Sequence, residues 1–297
     1  MSDQVTYILK ASGERVPFSQ EKLGKSLMRS GAGKDSIQFV VDEVKKKLYD
    51  GIPSSHIYRM AFGFLKMQSK PVASRYKLKQ AIMELGPSGY PFEKYIAEIL
   101  KHKGFAVRID EIVKGHCVSH EIDVIAEKGE ERFMVECKYH NSTGIVCDVK
   151  IPLYIHARFM DVEKELDGNN PGSTRFYRGW VVTNTKFSED AIKYGRCVGL
   201  NLVGWNFPEK GSLRDEIDSS GLYPLTCLIS LTRSEKQKLI DNKVVLCREI
   251  VNNHQLLMQT GISVDRIGNI LKEVDVLCGP QANAEISPEP SIEKKKL

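Results

Sequence analysis

Nowhere in the 297 residues does an apolar run approach the roughly 18–20 residues needed to span a bilayer, so no membrane association is expected. The opening MSDQVTYILKASGE lacks both a basic start and a continuous apolar stretch, which argues against a secretory signal. The seven cysteines (117, 137, 147, 197, 227, 247 and 278) form no C-x-x-C pair, so a zinc ribbon or a thioredoxin-type redox pair is not expected. Their odd number and wide spacing suit reduced thiols in a cytoplasmic protein. HCVSH offers His116, Cys117 and His120, but on a strand positions 116 and 120 lie about 13 Å apart, too far for one zinc ion. GAGKDS (31–36) lacks a glycine five positions before Gly33 and has Asp35 where a phosphate loop needs Ser or Thr. That reading is rejected.

What is present is enough apolar material for a core, 41% hydrophobic against 27% charged residues, in a length that suits two or three domains. The formal charge of +5 is unevenly placed. Residues 1–86 hold 15 basic and 8 acidic side chains, whereas 87–210 hold 17 and 18, 211–279 hold 8 and 9, and the tail 3 and 3. The whole surplus sits in the first third.

Turn-rich punctuation divides the chain. LGPSGYPF (85–92) and FPEKGSLRDEIDSSGLYP (207–224) read as connectors, and PQANAEISPEPSIEKKKL has too few large apolar residues to fold. The expected units are 1–86, 87–210, a linker at 211–223, a helical unit at 224–279 and a disordered tail at 280–297. Residues 1–86 begin with a hairpin (5–10 and 14–18) and continue as helices over 21–31, 35–51, 54–68 and 72–85, a small α+β unit. From 92 the order becomes helix, three β-rich runs, helix, strand, a helix capped by Ser188, and a strand. That order predicts one mixed sheet with flanking helices, an α/β fold, α+β overall. In the last unit TRSE (232–235) matches a capping box, and 253–277 reads as two helices with Ser263 capping the second.

EIDVIAEKGEERFMVECK (121–138) carries the most chemistry. As a hairpin turning around 128–131, its opposed positions sum to 259, which pairs Val124 with Val135, Ile125 with Met134 and Ala126 with Phe133. The register that matches apolar with apolar also sets Asp123 against Glu136, and Lys138 shares Glu136's face by the period of two. Adjacent carboxylates in a half-buried sheet repel unless something positive compensates, and a hard divalent ion is a natural compensator. A lysine beside such an ion can position water and stabilise negative charge. The competing reading of the bare pattern is a solvated charge cluster on an exposed hairpin.

This stretch resembles the PD-(D/E)xK nuclease superfamily, most closely its Mrr-like restriction endonuclease branch, with Ile122 where the name-giving proline often stands. PFEKYIAEILKHKGFAV is similar to that family's first helix, and GWVVTNTKFSEDAIKYG to its strand, Thr-containing loop and helix. The resemblance spans about 90–206. It implies a Mg²⁺-dependent DNA endonuclease (with Mn²⁺ as a substitute) of the type IV restriction kind. By the resemblance, Asp123 and Glu136 bind metal with the Cys137 carbonyl, Lys138 assists the water, and Glu93 completes the acidic site. Tyr139, His140, Trp180 and Trp205 are read as structural as readily as DNA-contacting.

Residues 4–86 resemble the ATP-cone, a nucleotide-binding regulatory module. The match runs through VTYILKASGERVPFSQEKL, IPSSHIYRM and SRYKLKQAIMELG. The resemblance implies ATP or dATP as ligand, with Lys10 and Lys22 at the phosphates and Ser54 and Tyr58 near sugar and base. Lys10-Ala11-Ser12-Gly13 replaces the family's usual K-R-D-G, and Tyr58 stands where His is common. Direct nucleic-acid contact by a basic unit is the alternative for this region. The Thr260-Gly261-Ile262-Ser263 turn with its helices resembles a helix-hairpin-helix, although packing within the chain or homo-oligomer formation fits as well. The expected activity is nucleotide-controlled cleavage of DNA; the other class weighed is a non-catalytic, nucleotide-sensing DNA-binding or regulatory protein that retains the nuclease fold.

Overall fold

The computed structural model describes residues 5–169 and 176–279, so the tail expected to be disordered lies outside the described residues. The opening hairpin is β1 (Tyr7–Leu9) and β2 (Arg15–Pro17), antiparallel with Ile8 opposite Val16. Gly13 takes φ 82° in the turn, a conformation open to glycine because it has no Cβ. α1 (Gln20–Arg29) begins where the Ser19 hydroxyl accepts from the Lys22 N–H at 3.2 Å, satisfying one orphan donor of the first turn. α2 (Lys34–Lys46) follows, and β3 (Ile52–Pro53) then lies parallel to β1. α3 (Ser54–Gln68) and α4 (Lys70–Tyr76) close a core containing Leu27, Val40, Val44, Ile52, Ala61, Leu65 and Ala73. The helix expected over 72–85 is in fact two. It breaks at Lys77, and α5 (Leu78–Met83) leaves the first core to pack Leu78, Ala81 and Ile82 into a second.

That second core is built on a five-stranded sheet. α6 (Tyr90–His102) precedes β4 (Ala106–Lys114), β5 (Ser119–Lys128) and β6 (Glu131–Lys138), all joined antiparallel. A short β7 (Val146–Cys147) leads into α7 (Lys150–Asn169), and β8 (Phe176–Thr183) returns parallel to β6. β9 (Lys186–Phe187) pairs with β7, α8 (Glu189–Cys197) starts at the Ser188 cap, and β10 (Asn201–Val203) runs parallel to β8. The strand order is β10-β8-β6-β5-β4. Alternation with period two decides which side chains face which helices. Val124, Ala126, Phe133 and Val135 join the α6 core, while Ile125 and Met134 join Val162 of α7.

The polar connector expected at 211–223 carries a helix, α9 (Leu213–Ser220). Ser212 and Asp215 form a reciprocal capping box, and Leu213 and Ile217 are buried in the α6 core. α10 (Arg233–Asp241) starts at the expected Thr232–Glu235 box. α11 (Cys247–Asn252), α12 (Gln255–Gln259) and α13 (Val264–Cys278) complete the described chain. Leu239, Leu246, Ile250, Leu257, Ile270 and Val274 are continuous with the core of α5 and α6. α13 also meets α4: buried Glu273 accepts from Ser74 Oγ at 2.8 Å and from the Ile229 and Ser230 N–H groups at 2.6 and 2.9 Å. Thr260 and Ile262 of the turn read as helix-hairpin-helix are buried, and the Thr260 carbonyl accepts from Lys238 Nζ at 3.2 Å.

Candidate active site

The β5–β6 ladder runs through Val124↔Val135, Ile125↔Met134 and Ala126↔Phe133, the register that the apolar pattern demands. One step beyond its last pair, Asp123 Oδ2 accepts the Cys137 N–H at 2.6 Å, so the carboxylate caps the strand that carries Glu136. Glu136 is buried, and both of its oxygens are engaged: Oε1 with Lys138 Nζ and Oε2 with Arg158 Nη1, each at 2.7 Å. Arg158 comes from α7 and donates its other nitrogen to the Glu121 carbonyl. Thr183 Oγ1 of β8 donates to the Lys138 carbonyl at 2.7 Å, holding the end of β6 in place.

Glu93 lies in the first turn of α6, where the helix N-terminus favours an acid. Gly89 leaves it room, since an added Cβ there would stand 2.8 Å from Glu93 Oε1. On β4 the ladder passes from Ile109↔Val124 to Glu111↔Ile122, leaving Asp110 and Asp123 opposed without a pair, and Asp110 has φ 57°. A non-glycine residue in that left-handed region is uncommon, and strained backbone of this kind clusters at functional sites. The Asp110 carboxylate is near enough to Glu93 to disfavour its charged form.

The electrostatics follow from this crowding. Burial, and then the charges of Asp123, Asp110 and Glu136, push Glu93 up to about 7. Burial and the Glu136 charge push Asp123 up to about 6, against the opposing pull of the Cys137 N–H, Lys138 and Arg158. Burial works to lower Lys138, but its hydrogen bond to Glu136 and the surrounding acids outweigh that and raise it. The site therefore holds excess negative charge that Lys138 and Arg158 only partly offset. Among the described residues no three His, Cys, Asp or Glu side chains gather tightly enough to chelate an ion by themselves. A magnesium-type ion does not need them to, because it takes one or two carboxylates and fills its other positions with water and phosphate oxygens. Asp123 and Glu136, with the adjacent backbone carbonyl of Cys137, fit that demand.

Asp123, Glu136, Lys138 and Glu93 are thus brought to one place. Arg158, Asp110 and Thr183 join them, and none of these three was singled out from sequence. The adjacent acids Asp110 and Glu111, which interrupt the apolar alternation of AVRIDEIV, could have marked Asp110; Arg158 sits in a helix of no distinctive pattern. The four nucleotide candidates fall in the first unit. Lys10 is paired with Glu14 at 2.7 Å beside the hairpin turn, and Lys22 is exposed in the first turn of α1. Ser54 opens α3. Tyr58 stacks on Tyr76 with ring centres 5.2 Å apart, and its hydroxyl is buried without a hydrogen-bond partner among the described residues. His120 and Cys117 serve Asp161 of α7: a His120 ring nitrogen lies 2.8 Å from its carboxylate and the Cys117 N–H donates to it at 2.8 Å, which staples the β4–β5 turn to that helix. Among the described residues no helix is long and apolar enough to cross a membrane.

Comparisons with known proteins agree with the geometry. Residues 86–151 match the restriction endonuclease family model, so this part of the chain is a nuclease-type domain, and residues 223–278 match the model described as AF1548-like, C-terminal. An uncharacterized protein of Archaeoglobus fulgidus is 37% identical over 185 residues, which is 62% of this chain and the whole of that one. A solved structure titled "Crystal Structure of Protein of Unknown Function AF1548" is also 37% identical, with a TM-score of 0.53, and covers 65% of this chain and all of its own. The chain belongs to the AF1548-like family.

Proposed function

We propose that the protein is a divalent-metal-dependent DNA endonuclease of the PD-(D/E)xK, Mrr-like kind, acting through Asp123, Glu136 and Lys138, with ATP or dATP as regulatory ligand of residues 1–86. The observation that carries the nuclease reading is the placement of buried Glu136 between Lys138 and Arg158, with Asp123 bonded to the intervening backbone. An electrostatic arrangement this crowded is costly for stability and is expected where chemistry requires it. A bound Mg²⁺ or Mn²⁺ would supply Lewis-acid stabilisation of the phosphate's developing charge. Asp123, Glu136 and the Cys137 carbonyl are the residues that would hold it.

The remaining roles belong to the chain itself. Lys138, kept charged by Glu136, does not take a proton at neutral pH; it orients the attacking water and stabilises negative charge on the pentacovalent phosphorus. Arg158 fixes the carboxylate of Glu136, and the Cys137 N–H fixes that of Asp123. Glu93, pushed up to about 7, exchanges a proton near neutral pH at its carboxyl oxygen, beside the reacting groups. The test is incubation of the full-length protein with supercoiled plasmid and branched DNA, with Mg²⁺ or with a chelator. Cleavage that needs the ion is expected, and none under either condition would end the reading.

For residues 1–86 the supporting observations are Lys10 beside the hairpin turn and Lys22, exposed in the first turn of α1. A triphosphate carries three to four charges and is matched by clustered lysines and a helix N-terminus. Calorimetry with ATP and with dATP is expected to give binding heat that Lys22→Ala removes. No heat from the unaltered protein contradicts the regulatory role.

A further inference from the structure

The segment that follows Lys138 is bracketed from two sides. Just past the end of β8, the Asn184 side chain accepts the His140 N–H at 2.9 Å and donates to the His140 carbonyl at 2.7 Å, so one buried amide replaces a missing strand partner. From the other side, Tyr139 Oη donates to the Met83 carbonyl at 2.6 Å, and Asn184 Nδ2 reaches Met83 Sδ at 3.2 Å. Met83 is the last residue of α5, the helix that continues α4 across the break at Lys77. α4 belongs to the first core, and α5 to the nuclease core. A second point of contact lies farther along the same segment, where Gly144 comes so close to the hairpin turn of the first unit that an added Cβ would stand 3.2 Å from the Ala11 carbonyl. The stretch 138–144 is therefore held between the end of the sheet and the first unit.

We propose that Tyr139 is a positioning residue: through Met83 it ties the strand end bearing Lys138 to α5, so that the junction with the first unit sets where the Lys138 ammonium stands. The proposal rests on the nuclease reading only for its kinetic consequence. Successive side chains on a strand end point to opposite faces, so Tyr139 reaches α5 while Lys138 reaches Glu136. The backbone between them is the shared element. Its freedom is limited by the Thr183 bond to the Lys138 carbonyl, the Asn184 pair on His140, and the tyrosine bond. Removing the tyrosine hydroxyl frees one of these restraints and leaves the ring on Phe92, 5.6 Å away between centres. A displacement of this kind affects the placement of a reacting group more than the binding of DNA.

The experiment uses the full-length protein carrying Tyr139→Phe, beside the unaltered protein and Lys138→Ala, with Mg²⁺ and plasmid DNA. The expected result is a kcat lower by about five- to tenfold, the size of one lost hydrogen bond expressed as a rate, with KM for DNA unchanged. A kcat equal to that of the unaltered protein, with only a lower melting midpoint, would make the bond a plain structural one and overturn the proposal. An independent readout separates this from failure of the nuclease reading. The ¹⁵N resonance of the Lys138 ammonium, assigned by its loss in Lys138→Ala, is expected to move in Tyr139→Phe whether or not DNA is cut. An unmoved resonance overturns the positioning role; absence of cleavage in every form, with a moved resonance, overturns the nuclease reading alone.

Discussion

Charge is used in opposite ways by the first unit and the nuclease sheet. Residues 1–86 carry the surplus of positive charge, and their pairs, such as Lys10–Glu14 and Lys25–Glu21, stand in water. Exposed pairs of this kind contribute little to stability and leave the lysines free for a ligand. Residues 87–210 are nearly neutral in sum, yet they bury Glu136 with Arg158 and push Asp123 and Glu93 well above the usual carboxylate range. Net charge points to the first unit, whereas strained charge points to the sheet. Burial and mutual distance, and not the count of charges, mark the candidate site.

Substitutions can break this contrast in order of expected effect. The largest is at Arg158, where Arg158→Met leaves Glu136 buried beside Asp123 without its second cation. A loss of about 3 kcal/mol in unfolding free energy is expected from denaturant titration, together with loss of cleavage. Less severe is Asp110→Asn, which removes one acid from around Glu93. The Glu93 pKa, followed by carbon NMR, is expected to fall from about 7 toward the ordinary value for glutamate.

A pH experiment sharpens the comparison at the contact between the first unit and the rest. Burial, and then Asp215, push Asp218 up to about 7, while Arg29 and Arg75 of the first unit pull it down. A carboxyl that is raised in the folded state favours folding while protonated. Its contribution is full below the ordinary value near 3.8 and is lost as pH rises through about 7. Stability measured between pH 4 and 8 should therefore fall less in Asp218→Asn than in the unaltered protein. Smallest of all is Lys22→Ala, for which the melting midpoint is expected to stay in place. A drop would mean that the exposed lysines of the first unit carry structure.

How much of this was legible in the sequence depends on range. The β5–β6 register followed from apolar matching over a few residues, and the Ser188 and Thr232–Glu235 caps from local chemistry. Features set by distant partners were not legible. β3 is two residues long and has no periodicity to read. The break at Lys77 reflects two cores competing for one helix. α9 was hidden by its polar, Gly- and Ser-rich surroundings, although Ser212 and Asp215 stand at capping-box spacing. Arg158 and the Asn184 clamp reach their partners across 22 and 44 positions, where no short pattern records them.

Lys138, held by Glu136, is proposed to serve the bond-breaking step and not the capture of DNA. Single-turnover cleavage of one plasmid by the unaltered protein and by Lys138→Ala, with DNA affinity measured in parallel, addresses it most directly. A cleavage rate lower by about 100- to 1,000-fold is expected for Lys138→Ala, with affinity within a few-fold of the unaltered protein. Equal cleavage by Lys138→Ala would contradict it.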